Sequence, residues 1–167
     1  MKKRIISILL IITMCASALV AFGACGENSF PDDSGDVMPD NGLTFELAEG
    51  GYAVSRYAGT DKEVIVPGEY KDKPVVAIGV KAFSGCDKVT SITLPSSIKT
   101  IGVGAFTNCA GLTSITIGRG VEIVGYGAFN FCSNLKFIYC EAESKPEGWS
   151  EEWSRGCSAE IVWGYKG

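Results

Sequence analysis

No histidine occurs anywhere in the 167 residues. That absence removes the commonest general base, the commonest metal ligand and the middle member of a Ser-His-Asp triad. Paired C-x-x-C ligands are missing too, as are G-x-S-x-G, H-E-x-x-H and Walker-type loops. Neither a zinc module nor a hydrolase or nucleotide site is therefore legible. The carboxylates lie mostly in one polar tract and in turns, where solvation accounts for them. No catalytic residue is assigned, and no metal or cofactor is expected. Positive charge is scarce as well: 15 Lys and Arg stand against 19 Asp and Glu, a formal net charge of −4. A nucleic-acid partner, which needs a basic surface, is not expected.

What the chain does contain is a repeat. The segments beginning at Ile78, Ile101 and Val124 read IGVKAFSGCDKVTSITLP, IGVGAFTNCAGLTSITIG and VGYGAFNFCSNLKFIYCE, at a spacing of 23 residues. Gly79, Gly102 and Gly125 align, as do Phe83, Phe106 and Phe129, and Cys86, Cys109 and Cys132. Self-similarity at such a period marks a solenoid, in which each turn buries its apolar face only against its neighbours. About four turns are expected between Glu63 and Glu141. A hydrophobic content of 46% is sufficient for one core.

The pattern resembles the bacterial BspA-like leucine-rich repeats, whose units read roughly I-G-x-x-A-F-x-x-C-x-x-L-x-x-I-x-I-P. The resemblance implies a leucine-rich-repeat solenoid, β-rich within the α/β class, with short helical turns. It also implies a surface adhesion or binding protein rather than an enzyme.

The first 25 residues have a basic start (Lys2, Lys3, Arg4), an apolar run from Ile5 to about Val20 and small residues before Cys25. This reads as a secretory signal over residues 1–24, since the run is short for a spanning helix. Phe22-Gly23-Ala24-Cys25 is similar to a bacterial lipobox, with Phe22 where Leu is usual, which makes Cys25 the lipidation candidate. Ordinary cleavage after Gly23 or Ala24 would instead release a secreted protein. Cys15, preceded by Met14, reads as a hydrophobic residue of the leader. Several acyl chains on Cys25 would anchor the protein stably, where one would bind marginally. Residues 25–42 then form an acidic tether carrying Glu27, Asp32, Asp33, Asp36 and Asp40 but no basic residue, a composition that cannot build a core. Its span as a coil is on the order of 20–25 Å. Loss of the leader's three cations takes the formal charge from −4 to −7.

Residues 43–62 are expected to form an N-terminal β cap. Leu43–Leu47 alternates at period two, Tyr52–Tyr57 makes a second strand after Glu49-Gly50-Gly51, and the chain turns at Gly59-Thr60-Asp61 into Val64-Ile65-Val66, completing a β-meander. Val64 and Val66 align with Ile92 and Leu94, so this last strand is also the first turn of the repeats, 63–141. The next spacing is 28, with the insertion in the polar turn Glu69–Lys73. Inward positions are Val89, Ile92 and Leu94, then Leu112, Ile115 and Ile117, then Leu135, Ile138 and Cys140. A second extended piece contributes Val75, Ile78, Ile98, Ile101, Val121 and Val124. Between them Ala-Phe is expected to form a tight helical turn, stacking the phenylalanines. Each glycine after the isoleucine is expected to serve an unusual backbone angle or a close approach. The region 142–167 reads as a C-terminal cap, with Trp149 and Trp153 on one face of a short helix and Ile161-Val162-Trp163 as a last strand; a sugar-binding aromatic pair is the competing reading.

Cys86, Cys109 and Cys132 share one ladder position, with Cα atoms roughly 5 Å apart if the turns stack. Stacked side chains seldom meet disulfide torsions, so free buried thiols are expected. Cys140 and Cys157 form a candidate disulfide stapling the cap. Two outward rows follow from the alternation: Glu63, Ser91, Ser114, Phe137, and Ile65, Thr93, Thr116, Tyr139. The candidate ligand-binding residues are Ser91, Thr93, Ser114, Thr116, Phe137 and Tyr139, with packing against the cap as the alternative role for the two aromatics. The face is on the order of 15 by 16 Å, below the roughly 800 Å² per side of a standard protein interface. A single copy therefore suits a weak protein contact, a peptide or a glycan, reinforced by avidity. The partners expected are a host or envelope protein, peptide or glycan, and the membrane only through the N-terminal lipid. The competing reading is a structural or accessory envelope lipoprotein that assembles with other surface proteins.

Overall fold

A computed structural model describes residues 41–167; the leader, Cys15, Cys25 and the tether up to residue 40 lie outside the described residues. In chain order the strands are β1 (Leu43–Ala48), β2 (Gly51–Tyr57), β3 (Glu63–Ile65), β4 (Glu69–Tyr70), β5 (Lys73–Ile78), β6 (Ser91–Thr93), β7 (Thr100–Ile101), β8 (Ser114–Ile117), β9 (Ile123–Val124), β10 (Phe137–Cys140) and β11 (Glu160–Trp163). They make two sheets. One runs β1-β2-β5-β7-β9, with β4 hairpinned onto β5, and the other β3-β6-β8-β10-β11. Apart from the β1/β2 and β4/β5 hairpins every pairing is parallel, because each turn of the chain passes once through each sheet in the same sense.

The aligned residues stack. Val64 pairs with Ile92, Ile92 with Ile115, Ile115 with Ile138 and Ile138 with Ile161. The solenoid therefore has about five turns rather than four. The 23-residue period persists into β11, where the consensus residues have already lapsed. Inside, Phe83, Phe106 and Phe129 are fully buried, with successive ring centroids 5.4 and 5.2 Å apart. The column begins on Tyr57, 5.3 Å below Phe83, and ends edge-on against Trp153, 5.8 Å from Phe129. Each phenylalanine thus has aromatic neighbours on both sides.

No helix occurs among the described residues, which corrects both the helical Ala-Phe turns and the capping helix. The reason lies in where the amides go. Ala105 N–H donates back to Gly102 O (3.2 Å) and Cys109 N–H to Phe106 O (3.3 Å), but between them Phe106 N–H reaches Ala128 O of the next turn (2.8 Å) and Asn108 N–H reaches Asn130 O (2.9 Å). Amides committed alternately to their own turn and to the next cannot form the i−4 ladder of an α-helix. In the cap, Trp149 N–H returns to Pro146 O while Ser150 N–H is taken by Val124 O (2.8 Å), with the same result. Left-handed residues complete each turn: Gly85, Asn108 and Phe131 occupy one aligned position at φ 73, 57 and 58°.

Close approach, rather than an unusual angle, explains the glycine after each isoleucine. A Cβ on Gly102 would lie 2.7 Å from the Gly79 carbonyl carbon and the Val80 nitrogen, so only hydrogen fits between the turns. At the N-terminal end the expected three-stranded meander is instead a hairpin: β2 joins β5 in one sheet and β3 crosses to the other. The 28-residue spacing is absorbed by the β4/β5 hairpin, whose tip residues Lys71 and Asp72 are left-handed. The buried Trp149 and Trp153 stand edge-to-face at 5.0 Å, and Trp149 Nε1–H donates to Val121 O (3.2 Å). That satisfies the one polar atom the ring brings into the core.

Candidate functional site

The outward rows assemble as the alternation dictates, because in a strand the residues between inward positions face the other way. Ser114 is flanked by Ser91 on one side and Phe137 on the other, and Tyr139 pairs with Thr116. The last turn extends the rows with Glu160 and Val162, neither among the sequence-derived candidates. Between β6, β8 and the connections that follow them lies an open groove of about 490 Å³. Its floor is Ser91, Thr93, Ser114 and Thr116, and its rim is Pro95, Ser96, Gly118, Arg119, Gly120 and Glu141. Four of the six candidates thus share one depression.

Phe137 and Tyr139 stand beside the groove rather than in it. Their rings stack at 5.7 Å, with Phe137 still 37% exposed. Tyr139 is half-buried, with Tyr165 of the C-terminal tail 4.5 Å away. The cap therefore shares Tyr139, while much of Phe137 faces solvent.

Arg119 and Glu141 escape pattern reading. They sit in connections where the repeat offers no consensus, and only the stacking brings them together. Arg119 N–H donates to Glu141 Oε2 (3.0 Å), Arg119 Nη2 donates to Glu141 O (3.3 Å), and Glu143 lies 3.9 Å from the guanidinium. The rim charge is thus already paired. The groove offers neutral hydroxyls below and a fixed cation with its carboxylates above, a surface suited to hydrogen-bonding polar ligands.

The cysteines contribute no disulfide or metal site in this structure. Cys86, Cys109, Cys132, Cys140 and Cys157 are all thiols, each buried but Cys157. The candidate staple between Cys140 and Cys157 is therefore in its reduced form here. Cys109 Sγ–H donates to Phe83 O and Cys132 Sγ–H to Phe106 O, each at 3.0 Å. These two thiols thus cap carbonyls of the turn below. The hydrogen bond between Cys109 and Cys132, together with burial, keeps the Cys109 thiol protonated well above its ordinary range. Burial alone pushes Cys140 up to about 12. Among the described residues no group of three or more potential metal ligands occurs, and no helix is long and apolar enough to cross a membrane.

Parallel turns of 23 residues, a stacked phenylalanine column and two facing sheets define a leucine-rich-repeat solenoid. Residues 69–146 match the BspA type leucine-rich repeat region in 6 copies, and the repeat region belongs to that family. The fold is similar to that of a leucine-rich repeat protein from Bacteroides capillosus, at 25% identity and a TM-score of 0.62, over 75% of this chain and 96% of that one. It is also similar to a leucine-rich cell surface protein from Faecalibacterium prausnitzii, at 27% identity and a TM-score of 0.56, over 78% of this chain and 43% of that one. A leucine-rich repeat protein from Bacteroides ovatus matches at 29% identity and a TM-score of 0.58, over 77% of this chain and 37% of that one. The chain therefore spans less than half the length of the last two. No curated protein matches it.

Proposed function

We propose that the protein is a noncatalytic recognition module of the bacterial cell surface, which binds a peptide, protein or glycan on the outward face of the β6–β8–β10 sheet. The observation that carries this reading is the groove floored by Ser91, Thr93, Ser114 and Thr116, bordered by a partly exposed aromatic pair. Hydroxyls supply hydrogen bonds to polar ligands, and rings supply apolar area at low entropic cost. The likeness to a leucine-rich cell surface protein supports an exported, surface location. Lipidation at Cys25 is the anchoring that the leader suggests.

The repeat provides its own control. Ser114 and Thr116 occupy the positions of Phe137 and Tyr139 one turn earlier, so the solenoid does not require rings there. The double change Phe137→Ser and Tyr139→Thr should leave the fold standing, at a cost of about 1–2 kcal/mol from the lost Tyr139–Tyr165 contact and ring area. Glycan and matrix-protein arrays probed with residues 43–167, which hold every strand of both sheets, supply the ligand. The variant should then bind it at least about tenfold more weakly. Unchanged affinity would move the site away from this edge. Array signal confined to envelope components of the producing cell would favour an accessory lipoprotein instead.

A further inference from the structure

The β3-to-β11 sheet ends differently at its two edges. In the first turn the inward-facing Val64 and Val66 are 4% and 2% exposed, and in the fourth turn Ile138 and Cys140 are fully buried. In the fifth turn Ile161 and Trp163 occupy those same inward positions, aligned on Ile138 and Cys140, yet both remain only half-buried. No strand among the described residues pairs with the outer edge of β11. The companion sheet is closed at this end by the bridge between Val124 and Trp149. The opening is thus local: a short row of backbone donors and acceptors beside two half-covered apolar side chains. Another extended polypeptide satisfies such a row all at once, which neither a sugar nor a lipid does.

We propose that β11 pairs antiparallel with β11 of a second copy of this chain, about a two-fold axis through Val162 and perpendicular to the sheet, making a symmetric dimer with one ten-stranded sheet. In an antiparallel pair, opposed residues share a face. With Val162 against Val162, Ile161 of each copy opposes Trp163 of the other on the core side, so the two half-covered residues cover one another. A slip of one residue would set inward side chains against outward ones. Head-to-tail docking of β11 on β3 gains less, because Val64 and Val66 are already covered, and it would not close. Glu151 and Glu152 at the same end are paired with Lys145 (2.5 Å) and Arg155 (2.7 Å), which offsets repulsion between the two copies.

The axis direction has a consequence for the recognition face, and this part rests on the reading of the groove given above. Both outward faces look the same way. Phe137, Tyr139 and Val162 of the two copies meet at the centre, with one hydroxyl-floored groove on either side. Ten strands at about 4.8 Å give a face about 48 Å long, twice that of one copy. Four residues per strand bury little area, so pairing is concentration-dependent, and tethering to one membrane would favour it.

The test uses the full chain on cells and then purified. Val162→Cys should yield covalent dimers under a mild oxidant, above the wild-type background, because opposed Cα atoms about 4.5–5.5 Å apart lie within disulfide reach. Ile65→Cys, on the outward face of the opposite edge and 69% exposed, should yield none. In sedimentation the wild type should shift from monomer to dimer with concentration. Val162→Lys, which sets two ammonium groups at the axis, should weaken that shift by about tenfold or more, and an equal mixture with Val162→Glu should restore it. Two results overturn the proposal. One is a wild type that stays monomeric at every concentration; the other is a chain carrying both Val162→Cys and Ile65→Cys that crosslinks into ladders joining only the two unlike positions. Ligand binding by a monomeric Val162→Lys would show that the groove reading survives without the dimer.

Discussion

Phe106 shows how much one repeated residue carries. Its ring lies between those of Phe83 and Phe129 at 5.4 and 5.2 Å and is fully buried. Truncation empties a segment of a continuous column that rigid sheets on both sides cannot collapse to fill. Phe106→Ala should therefore destabilise the domain by about 3–5 kcal/mol, measured by chemical denaturation. Phe131 makes the opposite case. It holds φ 58° where the two preceding turns have Gly85 and Asn108, and it is 63% exposed, so burial does little to offset the steric cost of a left-handed aromatic. Phe131→Asn, which restores the residue one turn earlier, should stabilise the fold by about 0.5–1 kcal/mol. A loss of stability would mean that Phe131 makes a contact worth more than its strain.

Among the elements, the short connecting turns depend on alternating commitments. Their amides serve two neighbours, and their thiols serve the carbonyls below. Cys140 ends β10 fully buried, and burial raises its thiol from 9.0 to about 12. The folded state holds that proton more tightly than the unfolded chain does. The contribution is therefore complete below about pH 9 and is lost as pH rises toward 12. Melting temperature followed upward from pH 8 should fall, and Cys140→Val, of similar volume and without a proton to lose, should fall less steeply. Parallel slopes would assign the alkaline loss to other groups.

For the molecule as a whole, position relative to the membrane governs how the recognition face is used. The described solenoid begins at residue 41, and Cys25 lies 16 residues before it, a coil length on the order of 20–25 Å. If Cys25 carries lipid, Cys25→Ser should move the protein from the membrane fraction to the medium or leave it unprocessed. Normal processing and fractionation of that variant would rule out the anchor. An anchored pool is two-dimensional and crowded, which favours both multivalent binding and the pairing of β11 edges.

The sequence by itself determined the solenoid, its period, the inward rows and the outward rows, because a 23-residue repeat forces equivalent residues into register and the alternation of a strand then sorts them by face. Hence Ser91, Thr93, Ser114 and Thr116 can be set on one outward face from letters alone. Only the tertiary structure decided the rest. The Ala-Phe turns and the tryptophan cap read locally as helix, but their amides are claimed by the next turn, a competition that no local window contains. The third strand of the expected meander crosses to the other sheet because its partner, Ser91–Thr93, lies 28 residues ahead. Arg119 and Glu141 meet on the groove rim across 22 residues of non-repeating connection, and Ile161 with Trp163 is left half-covered because the stack above β11 simply stops. Repetition carries information about what recurs; ends, rims and exchanged hydrogen bonds do not recur, and they are settled only when the turns are stacked.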